Sequence, residues 1–274
     1  MPELPEIETV KRTLTPLLPG RRITEVHILK PEVIAYPAPE LFAAQIKDAI
    51  VSVVDRRGKY LLIHLESGDT LIAHLRMTGR FVFSPQEYAL KPHTHVVFCL
   101  DNKNELRFSD VRRFGRLWLI AAKMTDTISG IHKLGPEPLG HNCDAAYYRQ
   151  KLSGRRITIK QGLLDQSVVA GLGNIYVDEA LFGAGISPRR PTAEITDQEW
   201  QALALEIPKV LEKAIENNGT TFRDYLDGAG NAGRNLPHLL AYGRFGQPCL
   251  KCGAIMERLV VAGRGTTFCP KCQR

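Results

Sequence analysis

The sequence predicts an α+β multidomain protein: an N-terminal antiparallel β-sandwich with flanking helices, then a helical domain, then a short C-terminal β-hairpin module. Three features predict it. Seven segments of strand length fall within the first 121 residues, the periodicity turns helical after residue 143, and the last 26 residues carry two close cysteine pairs. At 274 residues and 44% hydrophobic content, the chain suffices for two domains, each with its own core. The boundaries read 1–131 for the sandwich, 132–143 for a linker, 144–240 for the helical domain and 241–274 for the hairpin module.

The first element is an amphipathic helix in which Ile7, Val10, Leu14 and Leu17 share a face, stopping near Pro19-Gly20. Strands are expected at 22–29, 50–56, 60–65, 70–75, 94–100, 106–110 and 117–121, with a short helix at 39–49. Their short spacing favours antiparallel pairing. The stretch Leu134-Gly135-Pro136-Glu137-Pro138-Leu139 reads as linker, and helices follow at 144–152, 160–166, 174–183, 196–217 and 221–226. Thr196-Asp197-Gln198-Glu199 is a capping box opening the longest of them. Residues 219–237, rich in Gly and Asn, are too polar for core, and a loop of that length points to function.

The last module is the most specific. Cys249-Leu250-Lys251-Cys252 and Cys269-Pro270-Lys271-Cys272 are separated by sixteen residues. Two such knuckles place four thiolates around one tetrahedral Zn(2+) ion. Between them, 255–268 alternates apolar and polar residues and breaks at Ala262-Gly263-Arg264-Gly265, as a hairpin does. Disulfides or a redox pair are the competing readings. With no signal peptide and no apolar segment of membrane-spanning length, a reducing cytoplasm is expected, which favours zinc. Cys99 and Cys143 lack ligand spacing; Cys99, in an apolar strand, is expected to be a core thiol.

Charge indicates what the module meets. The chain has 36 Lys+Arg against 29 Asp+Glu, a net of +7, and residues 249–274 hold five basic residues and one acidic. Further basic clusters stand at Arg56-Arg57-Gly58-Lys59, Arg112-Arg113, Arg155-Arg156 and Arg189-Arg190. A basic excess spread over several segments, together with a basic zinc hairpin, favours a phosphate backbone as partner. Gly171-Leu172-Gly173-Asn174 opens a helix, where backbone N–H groups can hold a phosphate. A dinucleotide fold is excluded there, because a helical region precedes it and the third glycine is missing.

The other end of the chain supplies chemistry. Removal of Met1 leaves Pro2 as a secondary amine, and a free α-amino group titrates at about 7.7–8.0, far below a lysine. Such an amine, attacking a sugar carbon and opening the ring, becomes an iminium ion directly. Glu3 stands beside it as a carboxylate able to move protons. Met-Pro-Glu is an ordinary start taken alone; the zinc hairpin at the far end gives it weight.

Pro2-Glu3-Leu4-Pro5-Glu6, the central Gly171-Leu172-Gly173-Asn174-Ile175-Tyr176 and the paired cysteines together resemble the formamidopyrimidine-DNA glycosylase family, in order and along the whole chain. The resemblance implies a helix–two-turns–helix element in the second domain and double-stranded DNA carrying oxidised bases as partner. The expected activity is bacterial base-excision repair of oxidised purines at the nucleoid, by a monomer. It implies Pro2 as the Schiff-base nucleophile, Glu3 as the acid on the ring oxygen, Lys59 as the residue assisting β-elimination and Arg264 as that of δ-elimination. Arginine is a poor proton donor, so neutralising the leaving phosphate suits Arg264 better. Met77 matches the residue that fills the space of an everted base, Arg112 the reader of the orphaned partner and Phe114 a wedge between neighbouring pairs. His93, Arg155 and Asn174 match DNA contacts; Lys160 is a weaker candidate for one. The loop at 219–237 matches a lesion-covering segment. Two alternatives stand beside this. An endonuclease VIII-like enzyme for oxidised pyrimidines would depart from Leu4-Pro5 and from the Met77/Arg112/Phe114 set. A noncatalytic damage binder would have lost Pro2, Glu3 or Lys59.

Overall fold

Glu3 stands at the N-cap of the first helix, α1 (Leu4–Leu14), in a capping box with Glu6, and Pro5 occupies the first turn where its missing N–H costs nothing. Ile7, Val10 and Leu14 are fully buried. Leu17 is not part of that face. The helix stops before Pro16, so the chain turns and buries Leu18 instead. The computed structural model describes residues 1–122 and 129–274.

These residues form two compact units. The first, 1–132 with 217–234, is built on two sheets. One has four strands in the order β1 (Ile23–Ile28), β7 (Thr94–Leu100), β8 (Asn104–Asp110), β6 (Gly79–Pro85). The other has five: β2 (Ile34–Tyr36), β9 (Arg116–Ile120), β5 (Thr70–His74), β4 (Tyr60–Leu65), β3 (Val51–Arg57). All pairs are antiparallel except β2 with β9. Alternate residues of both sheets, including Val54, Leu61, Phe81, Phe98 and Phe108, share one core with α1 and α2 (Pro39–Ile46). The expected strands are present, and two more join them. β6 escapes sequence reading because Gly79 and Pro85 bound it like a turn; β2 has only three residues.

The second unit, 133–216 with 235–274, contains α3 (Ala145–Leu152), α4 (Ile159–Leu164), α5 (Asn174–Ala184) and α6 (Asp197–Glu216). The predicted capping box of α6 is formed: Thr196 N–H donates to Glu199 Oε2 at 2.9 Å, and Glu199 N–H returns to Thr196 Oγ1 at 3.3 Å. Strands β10 (Glu257–Val261) and β11 (Arg264–Phe268) make the predicted hairpin. Ala262 and Gly263, both at positive φ (50° and 70°), give the tight two-residue turn that matches strand twist. The hairpin packs on Phe182 of α5 through Cys249, Met256 and Cys269.

Residues 217–234 depart from expectation twice. They fold with the first unit although they follow α6, and 221–226 is not helical. The reason is tertiary. Thr221 Oγ1 donates to Tyr225 O and accepts Gly233 N–H, which closes the segment into a loop, while Tyr225 enters the sandwich core. Gly233 lies so close to Gly219 O that an added Cβ would sit 2.2 Å from it.

Lys160 also differs from expectation. Its side chain is fully buried, with Nζ 2.5 Å from Asp178 Oδ1 and 2.7 Å from Thr266 Oγ1. It joins α4, α5 and β11 and offers nothing to DNA. Burial pushes Asp178 up to about 6, against the opposing charge of Lys160. Breaking such a pair leaves an uncompensated buried group, at a cost of about 3–5 kcal/mol. Lys160→Met is therefore expected to lower the denaturant midpoint by that equivalent, and Lys160→Met/Asp178→Leu to recover most of it. A single variant as stable as the parent would show the pair to be idle.

Candidate active site

Pro2 and Glu3 are both buried, Glu3 to 2% exposure, at the start of α1. Their position is held from two directions. Glu3 N–H donates to Glu6 Oε2 at 2.8 Å, and Thr220 N–H donates to Glu6 Oε1 at 2.8 Å. Glu6 thus ties the N-terminus to the loop at 217–234; Tyr225 Oη adds a bond to Glu6 O, and Gly228 N–H one to Thr13 Oγ1. Further along α1, Glu8 accepts from Arg56 Nε at 3.1 Å. Burial pushes Glu8 up, yet Arg12, Arg56 and Lys11 together hold its carboxyl below the usual range. This pair fastens α1 to β3 just before the Gly58-Lys59 turn.

Gly58 takes positive φ (55°) there, and Lys59 is 7% exposed. A lysine buried on the turn that follows β3, the strand on which α1 is fastened, is not ordinary solvated surface. Its charge is felt by His74, whose ring is held down to about 3, first by burial and then by Arg76 and Lys59. Neutral His74 accepts Arg76 N–H at Nδ1 and packs edge-on against Tyr60.

Met77, Arg112 and Phe114 come together as an exposed cluster on neighbouring loops. Met77 and Phe114 are 44% and 47% exposed, Arg112 Nη1 lies 2.9 Å from Met77 Sδ, and its guanidinium sits 4.6 Å from the Phe114 ring centre. An apolar pair gripping one cation is suited to stacking against bases. His93, also exposed, sits at positive φ (65°) with its carbonyl accepting Asp110 N–H.

In the second unit, Asn174 begins α5 and its Nδ2 donates to Gly265 O at 2.9 Å, which fixes the hairpin beside Arg264. Arg264 is exposed and opens β11 opposite Val261. Arg155, half-exposed, shares its charge with Asp165 at 2.8 Å. Glu179, pushed up by burial, accepts the N–H groups of Leu240, Ala241 and Tyr242 and so pins the chain leading to the hairpin. Neither Glu179 nor the linkage of Asp178 and Thr266 through Lys160 carries any local sequence signal.

Cys249, Cys252, Cys269 and Cys272 converge with all four Sγ atoms within 4.8 Å of one another. The Cys249–Cys272 and Cys252–Cys269 separations are 3.9 and 3.5 Å, near the roughly 3.8 Å that tetrahedral Zn–S bonds of about 2.3 Å require. Lys251 and Cys272 N–H groups point at Cys249 and Cys269 Sγ, an arrangement that favours thiolates. The donor set fits one structural zinc ion. Cys99 and Cys143 are buried elsewhere.

A two-sheet unit that buries Pro2 and Glu3, with a helical unit that ends in a four-cysteine hairpin, defines an architectural class of metal-hairpin proteins. Residues 1–117 match the formamidopyrimidine-DNA glycosylase N-terminal domain, 134–225 the H2TH domain of the same enzymes, and 246–274 the zinc finger found in FPG and IleRS. The chain belongs to the formamidopyrimidine-DNA glycosylase family. The Moorella thermoacetica formamidopyrimidine-DNA glycosylase is 53% identical over 259 residues, 94% of each chain. A Lactococcus lactis Fpg in complex with DNA containing an abasic site superposes with TM-score 0.92 at 36% identity, covering 99% of both chains. A MutM complex with DNA containing carbocyclic 8-oxo-G gives 0.92 at 35% identity, covering 100% of both. Among the described residues no helix is long and apolar enough to cross a membrane.

Proposed function

We propose that this chain excises oxidised purines, 8-oxoguanine and formamidopyrimidines, from double-stranded DNA and then cuts the strand at the resulting site. It is a glycosylase and an AP lyase in one, acting on the bacterial nucleoid. The observation that carries this reading is the buried Pro2-Glu3 start of α1 with Lys59 buried on the neighbouring β3–β4 turn.

With Met1 removed, the Pro2 nitrogen attacks C1′ of the everted nucleoside while the bond to the base breaks, and the proton that the amine gives up goes to the departing base. Glu3 gives a proton to the ring oxygen; the ring opens and the C1′–N bond becomes an iminium. A cationic iminium acidifies the C2′ proton, whose removal expels the 3′ phosphate, and Lys59 is placed to assist. The second elimination expels the 5′ phosphate, whose charge Arg264 neutralises. Water then releases the sugar remnant and leaves a one-nucleoside gap.

Met77 fills the vacated space, Phe114 wedges between neighbouring pairs, and Arg112 between them faces the orphaned base. His93, Arg155 and the N-terminus of α5 at Asn174 hold phosphates, and Arg155 exchanges Asp165 for one. Zinc bound by Cys249, Cys252, Cys269 and Cys272 supplies a structural anchor for the hairpin that presents Arg264.

Borohydride trapping on a duplex with one 8-oxoguanine opposite cytosine tests the reading, with the crosslink mapped by mass spectrometry. A crosslink at Pro2 is expected. Trapping only with oxidised pyrimidines would replace the purine assignment, and binding without any crosslink would remove the chemistry.

A further inference from the structure

Asp110 ends β8 and is only 1% exposed, and both of its carboxylate oxygens are engaged by neighbouring loops. Its Oδ1 accepts the Thr78 hydroxyl, the residue after Met77, and also Arg112 N–H at 3.1 Å. Its Oδ2 accepts Gly115 N–H at 2.7 Å, the residue after Phe114. Its carbonyl accepts from His95 Nε2 at 2.7 Å, and Thr78 Oγ1 itself accepts Arg112 N–H at 3.1 Å. One carboxylate therefore grips both loops that carry Met77, Arg112 and Phe114.

The β6–β8 register explains how. Gly79 pairs with Asp110, which brings the end of the Met77 turn directly alongside it. Both flanking glycines are required at this junction. A Cβ at Gly79 would lie 2.4 Å from Leu75 O, and one at Gly115 would lie 2.7 Å from Phe108 Cζ and 3.1 Å from Asp110 Oδ2. Each loop also holds one non-glycine residue in the left-handed region, Arg76 (φ 54°) and Arg113 (φ 56°). Such residues cost free energy and persist where surrounding contacts over-determine them. Here His74 fixes Arg76 N–H from one side, and Asp110 fixes the rest.

We infer that Asp110 is a positioning residue for partner-base discrimination, holding the Arg112 backbone in fixed relation to Met77 and Phe114. It rests on the proposed role of Arg112 as the reader of the orphaned base. A carboxylate is needed because all its partners at this point are donors, and an amide presents a donor of its own. In Asp110→Asn, the amide nitrogen faces either Gly115 N–H or Arg112 N–H, two obligate donors, and the loop it faces loses its acceptor. Exposed Arg112 then samples many orientations, and its preference for one base edge falls.

The test is single-turnover excision of 8-oxoguanine opposite cytosine and opposite adenine, with four variants. Arg112→Ala measures how much discrimination the arginine supplies. Asp110→Asn and Thr78→Val are expected to lower the cytosine-to-adenine ratio by about tenfold, on the scale of one base-edge contact. Thr78→Ser, which keeps the hydroxyl, is expected to restore it. A merely structural role would slow both substrates alike and leave the ratio unmoved. If Arg112→Ala lowers the ratio while Asp110→Asn and Thr78→Val do not, the positioning role is overturned and the Arg112 reading stands. If Arg112→Ala leaves the ratio unchanged, both are overturned. Should Asp110→Asn fail to fold, the Thr78 pair decides.

Discussion

Glu3→Gln is expected to slow 8-oxoguanine excision by about 10²–10⁴-fold, the range for loss of one general acid, while duplex affinity stays as it was. Glutamine has nearly the same shape, and its backbone N–H still reaches Glu6, so the start of α1 survives. What disappears is the transferable proton. Cleavage of a preformed abasic site should fall less, because its sugar already spends time ring-opened. Pro2→Gly is expected to fall sharply as well, since a primary amine gives an imine that can lose its charge. The phosphate contacts proposed for His93, Arg155 and Asn174 are untouched by either change. A parallel loss of binding in both variants would mean that these residues hold the fold and do not perform the chemistry.

Removing zinc is expected to be the other large effect. The hairpin has two strands and a small apolar cluster around Phe182, Met256 and Ala241, too little to hold an isolated hairpin in water. Structural zinc contributes on the order of 10–16 kcal/mol to such modules. Chelation or Cys252→Ser should therefore release β10 and β11, and with them the Asn174–Gly265 and Lys160–Thr266 bonds. The phosphate contact proposed for Arg264 is lost with them. The readout is duplex affinity over a salt series, whose logarithmic slope should shrink by about 0.9 for each phosphate that the hairpin no longer neutralises. Unchanged affinity and slope in metal-free protein would refute this role for the hairpin.

Local patterns carried much of the architecture. The capping box at Thr196, the apolar face of α1 through Leu14, and the break at Ala262-Gly263 all act through near neighbours, so they are readable from spacing. Errors arose where local and tertiary signals disagree. Gly79 and Pro85 resemble turn residues, yet pairing with β8 makes the segment between them a strand. Residues 221–226 have helical spacing, but Tyr225 gains more by entering the sandwich core than a short, isolated turn of helix could supply. Lys160 looked like a phosphate ligand because lysines on the surface of a basic protein usually are candidates. Its burial depends on Thr266, 106 residues away.

By itself the sequence determined the chemistry carried by covalent adjacency: a proline at the second position next to a carboxylate, and four cysteines at knuckle spacing. It also determined the succession of a strand-rich half, a helical half and a hairpin, because period and turn residues are local properties. Tertiary structure alone decided that Glu6 joins the N-terminus to Thr220 across 214 residues, and that Asp110 holds Thr78 from 32 residues away. It also turned Lys160 inward. A buried polar group must find its partner wherever packing brings one, and that partner's position in the chain leaves no periodic trace.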